Sequence, residues 1–277
     1  MNFLTISVKE TFQSIFKHKK FFIVLLLLQI FIFPLFAVAT FNYAIKIISN
    51  LETISQSTQQ DNNLQNTDQQ IQNALTISTQ LKQIIQHLNL LGISLAIIFI
   101  FGNGLLWSLS HKLISRKDNN QIQWKIFFEN VLHQWLKFTA TSIILFTPFF
   151  LIAYYIITNS INQSIAPETF GLILKTILAS TSIVYFFLLI TYAQIHEHSW
   201  KKYLQQIITS FKKIHYILII TIINLLILAS TIYATYRTVT IPNFETLSII
   251  LTFIFIILLV LTRLFWIVSI RNITEKY

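Results

Sequence analysis

A chain of 277 residues that is 54% hydrophobic and 11% charged, with mean hydropathy +0.64, is not a soluble globular domain, whose charged fraction is typically about 25%. The absence of cysteine excludes disulfides, thiolate metal sites and a cysteine nucleophile. The net charge of +10 comes from bases beside apolar runs, the pattern that orients a protein in an anionic bilayer rather than one that grips nucleic acid; the expected partner is the lipid bilayer, with no nucleic acid.

In chain order, the first element is an amphipathic segment near 4–19, with Val8, Thr11, Phe12, Ile15, Phe16 and Lys19 at helical spacing. An apolar run over 21–41 follows, long enough to cross a hydrocarbon core of about 30 Å. The basic start, this run and Ala37-Val38-Ala39 outline a signal peptide, but the run extends past the roughly 7 to 15 apolar residues of such a leader, so it reads as a span. Residues 42–90 are polar, yet Ile47, Leu51 and Ile54, then Ile71, Leu75, Ser78, Leu81, Ile85 and Leu88, step by three and four without an interrupting Gly or Pro. They predict an extracytoplasmic helical hairpin insertion that turns near Asp61 to Thr67 and whose residues 50–85 dock an extracytoplasmic protein partner. Further spans are expected over 91–110, 138–158, 172–194, 215–236 and 247–269, with amphipathic segments at 124–137 and 200–213.

These segments repeat. Trp124, Phe127, Phe128, Val131, Leu132 and Trp135 recur 76 residues later as Trp200, Tyr203, Leu204, Ile207, Ile208 and Phe211, apolar at every position, and four of the six positions stay apolar in the copy that opens the chain. The expected fold is all-α: a polytopic membrane protein with six transmembrane helices, built as three repeats of an interfacial amphipathic helix plus a transmembrane helix pair. It forms a single membrane domain over 1–277, with repeat units 1–117, 118–195 and 196–277 and the 42–90 insertion in the first. Phe12, Phe16, Trp124, Phe128, Leu132, Trp135, Trp200, Leu204, Ile208 and Phe211 are the expected membrane-interface residues, with the apolar faces turned toward lipid or the bundle so that Phe128, Leu132, Leu204 and Ile208 are buried there.

Placing both termini in the cytoplasm puts sixteen of the twenty bases on the inner side with five acids, a net of +11, and leaves four bases and five acids outside, a net of −1. All five tryptophans, Trp107, Trp124, Trp135, Trp200 and Trp266, then fall at or near the inner interface. The expected location is the cell membrane, multi-pass, with N- and C-termini cytoplasmic.

Chemistry is sparse. His196-Glu197-His198 lacks the metal-ligating His-Glu-x-x-His spacing and reads as a solvated loop. Arg263 lies toward the inner end of the last span and is expected to snorkel to the headgroups. Gln29, Asn103, Gln194 and Asn224, together with Ser180, Thr181 and Ser182, are neutral polar residues within spans and candidates for interhelical hydrogen bonds. Gly102-Asn103-Gly104 marks a close helix contact or a local break. No phosphate loop, paired intramembrane carboxylates or Ser-His-Asp spacing is present, so no catalytic residue, cofactor or metal is expected.

This plan of amphipathic segments and paired spans resembles a group of six-span integral membrane proteins, similar in outline to the membrane domain of glycerophosphodiester phosphodiesterases. The resemblance implies membrane embedding and lipid proximity and carries no functional residues. The sequence therefore points to a non-enzymatic integral membrane protein, a scaffold, accessory subunit or lipid-organising component. The alternative is a permease for a small or lipid-like solute.

Overall fold

The structure, a computed structural model, describes residues 2–61, 67–115, 124–162, 167–197, 199–239 and 245–276. They form α1 (Asn2–Lys17), α2 (Lys19–Asp61), α3 (Thr67–Ile98), a π turn (Phe99–Asn103), α4 (Gly104–Ser115), α5 (Trp124–Asn162), α6 (Pro167–Tyr192), α7 (Trp200–Lys212), α8 (Ile214–Val239) and α9 (Glu245–Lys276), with no strand among the described residues. Six stretches are long and apolar enough to cross a membrane: Lys19–Gln59, Gln70–Ile114, Glu129–Asn159, Gly171–Tyr192, Ile214–Thr238 and Thr246–Glu275. Each contains one of the expected spans or nearly all of it.

The chain divides into two compact units, one of residues 1–30 with 103–277 and one of residues 31–102. In the larger unit α8 pairs with α9 and α5 with α6, while α4 lies against α5 and α9, and α1 against α9 and α4. Glycine permits the closest of these approaches. A Cβ at Gly104 would lie 2.7 Å from Cδ1 of Trp135 and 2.9 Å from Cδ1 of Phe138 on α5, so any side chain there forces the two helices apart. Gly104 follows the π turn, whose extra residue per turn breaks the run from α3 into α4. The Gly-Asn-Gly sequence is thus both a break and a close contact.

The amphipathic segments differ in how they join their spans. The chain breaks at His18 between α1 and α2 and at Lys213 between α7 and α8, but α5 runs unbroken from Trp124 into its span. An interfacial helix over 124–137 was expected; a single 39-residue helix is found instead. Thr11, Ile15, Val131, Tyr203 and Ile207 point into the protein, whereas Phe12, Phe16, Leu132, Leu204 and Ile208 do not. Leu132, Leu204 and Ile208, expected to turn toward lipid or the bundle, are each 56% exposed on the protein, so they do not pack into the bundle. Each segment is apolar over an arc wider than its packing neighbours cover, so one edge of the arc faces inward and the other outward. Trp135 and Phe211 are half-buried and Trp200 is exposed; the side chains of Trp124 and Phe128 lie outside the described residues.

In the smaller unit, α2 and α3 run antiparallel. Ile32 meets Gly102, where a Cβ would sit 3.0 Å from its Cγ2, and further along Tyr43 meets His87, with ring centroids 6.5 Å apart. At about 1.5 Å per residue the 43-residue α2 is about 65 Å long, roughly twice the hydrocarbon thickness. The connection at 62–66, which holds most of the expected turn, lies outside the described residues.

The seam between these helices keeps a seven-residue period in a phase other than the expected one. On α3 it follows Asn73, Ile77, Gln80, Ile84, His87 and Leu91, all buried or half-buried, while Ile71, Leu75, Ser78 and Leu88 are exposed and Leu81 and Ile85 are intermediate. On α2 it follows Tyr43, Ile47, Asn50, Ile54 and Ser57, and Leu51 is exposed. The Tyr43–His87 contact fixes one point of the pairing, and along both helices the shielded positions alternate between polar residues and isoleucine. Counting apolar residues picks the wrong stripe of α3, because the shielded stripe carries Asn73, Gln80 and His87 among its isoleucines.

Candidate functional site

Two features of the larger unit gather its polar chemistry. The first begins with an elementary property of helices: the last four carbonyls have no partner within the helix and carry the negative end of its dipole. Here three side chains from other elements reach carbonyls of a last turn, and a fourth reaches a carbonyl in the connection that follows α6. His111 Nε2 lies 2.8 Å from Tyr192 O, Trp266 Nε1 donates to Leu189 O at 2.8 Å, Lys137 Nζ donates to Glu197 O just beyond α6, and Lys213 Nζ donates to Ile273 O at 2.8 Å. Lys137 and Lys213 stand 76 residues apart, and each reaches a carbonyl 60 residues ahead. The same spacing therefore recurs, once from α5 to the connection after α6 and once from the α7–α8 junction to the last turn of α9.

Lys137 is fully buried. Its ammonium sits 5.5 Å from the ring centroid of Trp200 and 5.6 Å from that of Tyr203, so two aromatic faces replace part of its lost hydration. Burial pushes the Tyr203 hydroxyl up to about 12, which keeps it neutral beside the lysine at any physiological pH. Phe138 stacks on Tyr192 at 4.1 Å, and the Tyr192 hydroxyl is 2.7 Å from Ser142 Oγ.

His196 and Glu197, expected in a solvated loop, are drawn into this layer. The His196 ring stacks on His111 at 5.4 Å, its Nε2 is 3.3 Å from Glu197 Oε1, and Gln206 Nε2 donates to the same oxygen at 2.7 Å. Burial, aided by the Arg271 charge, holds His196 below its ordinary 6.5, with Glu197 and Glu275 opposing. His198 lies outside the described residues, and no group of three His, Asp or Glu side chains able to hold a metal is found among those described.

The second feature is a pocket of about 170 Å³ between α4, α6, α8 and α9. Arg263, Asn103, Asn224, Trp107 and Trp266 are among the residues lining it. Arg263 does not snorkel. It stands eighteen residues into the 32-residue α9, its Nη2 donates to Gln29 Oε1 at 2.8 Å, and its guanidinium lies 5.9 Å from the Trp107 ring centroid. Sequence reasoning weighed this arginine only as a charge near a helix end. Its partner lies 234 residues away.

The expected interhelical polar residues divide accordingly. Gln29 holds Arg263, and Gln194 donates from Nε2 to Ser210 Oγ at 3.3 Å and Thr274 Oγ1 at 3.4 Å. Asn103 and Asn224 line the pocket. Ser180, Thr181 and Ser182 instead bond carbonyls four residues back on their own helix. Trp107 and Trp266, read as interface anchors, are core residues, 4% and 2% exposed. The signal that could have revealed Lys137 was present in the sequence: shifting by the 76-residue period aligns it with Lys213.

Comparison with protein families, with curated proteins and with solved structures finds no match to this chain.

Proposed function

We propose that this chain is a non-catalytic membrane component that organises lipid, built from three repeats and held with both termini and the Trp200 end of α7 in the cytoplasm of the cell. One observation carries this reading: α1 and α7 turn Phe12 and Phe16, and Trp200, Leu204 and Ile208, outward while Lys9, Lys201 and Lys202 stand exposed on the same helices. An apolar face flanked by ammonium groups suits the headgroup layer of an anionic leaflet. The shared inward positions, Thr11 with Tyr203 and Ile15 with Val131 and Ile207, support the repeats. Exposed Leu51, Ile71 and Leu75 support the docking of a protein partner on the paired helices at 50–85.

The test is selective lipid retention. Full-length protein in nanodiscs of mixed phosphatidylglycerol and phosphatidylcholine is expected to retain the anionic lipid preferentially by native mass spectrometry, and replacing Lys9, Lys201 and Lys202 together with Gln is expected to erase the preference. Equal retention of both lipids by the unaltered chain refutes the reading. Orientation is checked with single cysteines in this cysteine-free chain: an impermeant reagent added outside is expected to label residue 62 and spare residue 120.

A second reading, a permease for a small or lipid-like solute, draws support from the Arg263 pocket alone, since a charged residue lining a cavity among spans suits a solute path. Passage of a fluorescent phospholipid across proteoliposomes, at a rate above that of protein-free vesicles, is its test.

A further inference from the structure

The pocket lined by Arg263 has an electrostatic deficit. A guanidinium stays charged in any protein setting and offers five donors. Here one nitrogen, Nη2, is spent on the neutral Gln29 amide, while Nη1 is sealed from solvent with no hydrogen-bond partner. Among the described residues lining the pocket, none is acidic. On the facing helix the Asn224 side chain is 9% exposed, and its Oδ1 is likewise sealed without a donor. Two neighbouring demands are therefore unmet, one for an anionic acceptor and one for a hydroxyl or amine donor. An isolated charge this far along an apolar helix is costly unless something pairs with it.

We propose that this pocket binds a phosphate group that carries a neighbouring hydroxyl. Both atoms are shut off from the open space of the pocket in the unliganded protein, so on binding the two side chains turn toward it, the phosphate oxygens accepting from Nη1 of Arg263 and the hydroxyl donating to Oδ1 of Asn224. The volume of about 170 Å³ is on the order of ten times the space that one buried water occupies, enough for a phosphate and its ester oxygen. The rim admits a lipid from the side: Tyr185 on α6 and Leu225 on α8 line the pocket and are 40% and 60% exposed. Phosphatidylglycerol, with a phosphate and a headgroup diol, meets both demands. Phosphatidylcholine has the phosphate but no hydroxyl, and its own quaternary amine competes for the anion. The site is separate from the lysine-flanked faces of α1 and α7, and rests on the lipid-organising reading only for the source of the phosphate.

The experiment uses full-length protein in a non-ionic, phosphate-free detergent. It is titrated with short-chain phosphatidylglycerol, short-chain phosphatidylcholine and inorganic phosphate, and binding is read by native mass spectrometry and by tryptophan fluorescence from Trp107 and Trp266. Phosphatidylglycerol is expected to bind roughly tenfold or more tightly than phosphatidylcholine. Arg263→Gln and Asn224→Leu are each expected to lose that margin, while Arg263→Lys keeps part of it. Leu225→Trp, which narrows the rim, is expected to weaken the lipid and leave inorganic phosphate unchanged. If inorganic phosphate binds as tightly as the lipid and responds to the same two variants, the phosphate site stands and a free anion is its occupant. The proposal is overturned if the unaltered chain binds neither ligand, or if binding is indifferent to Asn224→Leu and Arg263→Gln. Should Arg263→Gln fail to fold, Asn224→Leu and Leu225→Trp decide the matter. Loss of lipid preference in the Lys9, Lys201 and Lys202 variant with pocket binding intact separates failure of one site from failure of the other.

Discussion

Two polar layers sit in different parts of the chain and meet different fates. In the α2–α3 seam, Asn50 Nδ2, Asn73 Nδ2, Gln80 Oε1 and His87 Nδ1 are buried without hydrogen-bond partners. In the larger unit Lys137, Lys213, His111 and Trp266 all find carbonyls. The difference lies in where along a helix the polar group arrives. Mid-helix carbonyls are engaged by the helix itself, so a side chain in a long seam meets a backbone with nothing to offer. Near a helix end the negative end of the dipole welcomes a further donor, even where a following backbone N–H already meets the carbonyl, as Ala193 N–H does at Leu189 O. Polarity in the seam goes unpaired; polarity near the helix ends ties elements together.

The largest expected effect tests whether close approach of α4 to α5 underlies the helix-end layer. Gly104→Val drives a branched side chain into Trp135 and Phe138, and is expected to destabilise by about 3 kcal/mol, seen as an early melting transition in detergent. Gly92→Val, where no neighbour lies within 4 Å of an added Cβ, is the control and loses far less.

Next is the contrast itself. Lys137→Met removes a charged donor from a carbonyl and is expected to cost about 2 kcal/mol; Lys213→Met, at a half-buried position, is expected to cost about 1 kcal/mol. In the seam, the double variant Asn50→Leu with Gln80→Leu strips two unsatisfied groups and is expected to raise stability by about 1 kcal/mol. Similar polar-to-apolar changes thus carry opposite signs in the two regions. Thermal unfolding of the variants side by side measures this, and a destabilised seam variant breaks the comparison.

The smallest effect is a pH dependence confined to the helix-end layer. Because burial lowers His196 below 6.5 in the fold, the unfolded chain takes up its proton first as pH falls. The stability contributed by the neutral ring is then fully present above about 6.5 and is lost as pH drops from there through the folded value. Melting temperatures between pH 8 and pH 5 are expected to fall more steeply for the unaltered chain than for His196→Phe. Equal slopes remove His196 from the account.

Sequence by itself determined the six long apolar helices, because crossing about 30 Å of hydrocarbon demands runs whose length and composition are visible without partners. It also determined that residues 42–61 and 67–90 are helical with a near-heptad period, since spacing is a local property. The Gly-Asn-Gly break and the reach of Gln29 and Gln194 toward other helices were legible as residue types. Tertiary structure alone decided which stripe of α3 is shielded, because that choice depends on which residues of α2, such as Tyr43 beside His87, lie across from it. It alone decided that Leu132, Leu204 and Ile208 face outward, since a wide apolar arc does not state which edge its neighbours will cover. And it turned Arg263 from a helix-end charge into the wall of a pocket, because the glutamine that holds it and the asparagine that faces it come from helices far away in the chain.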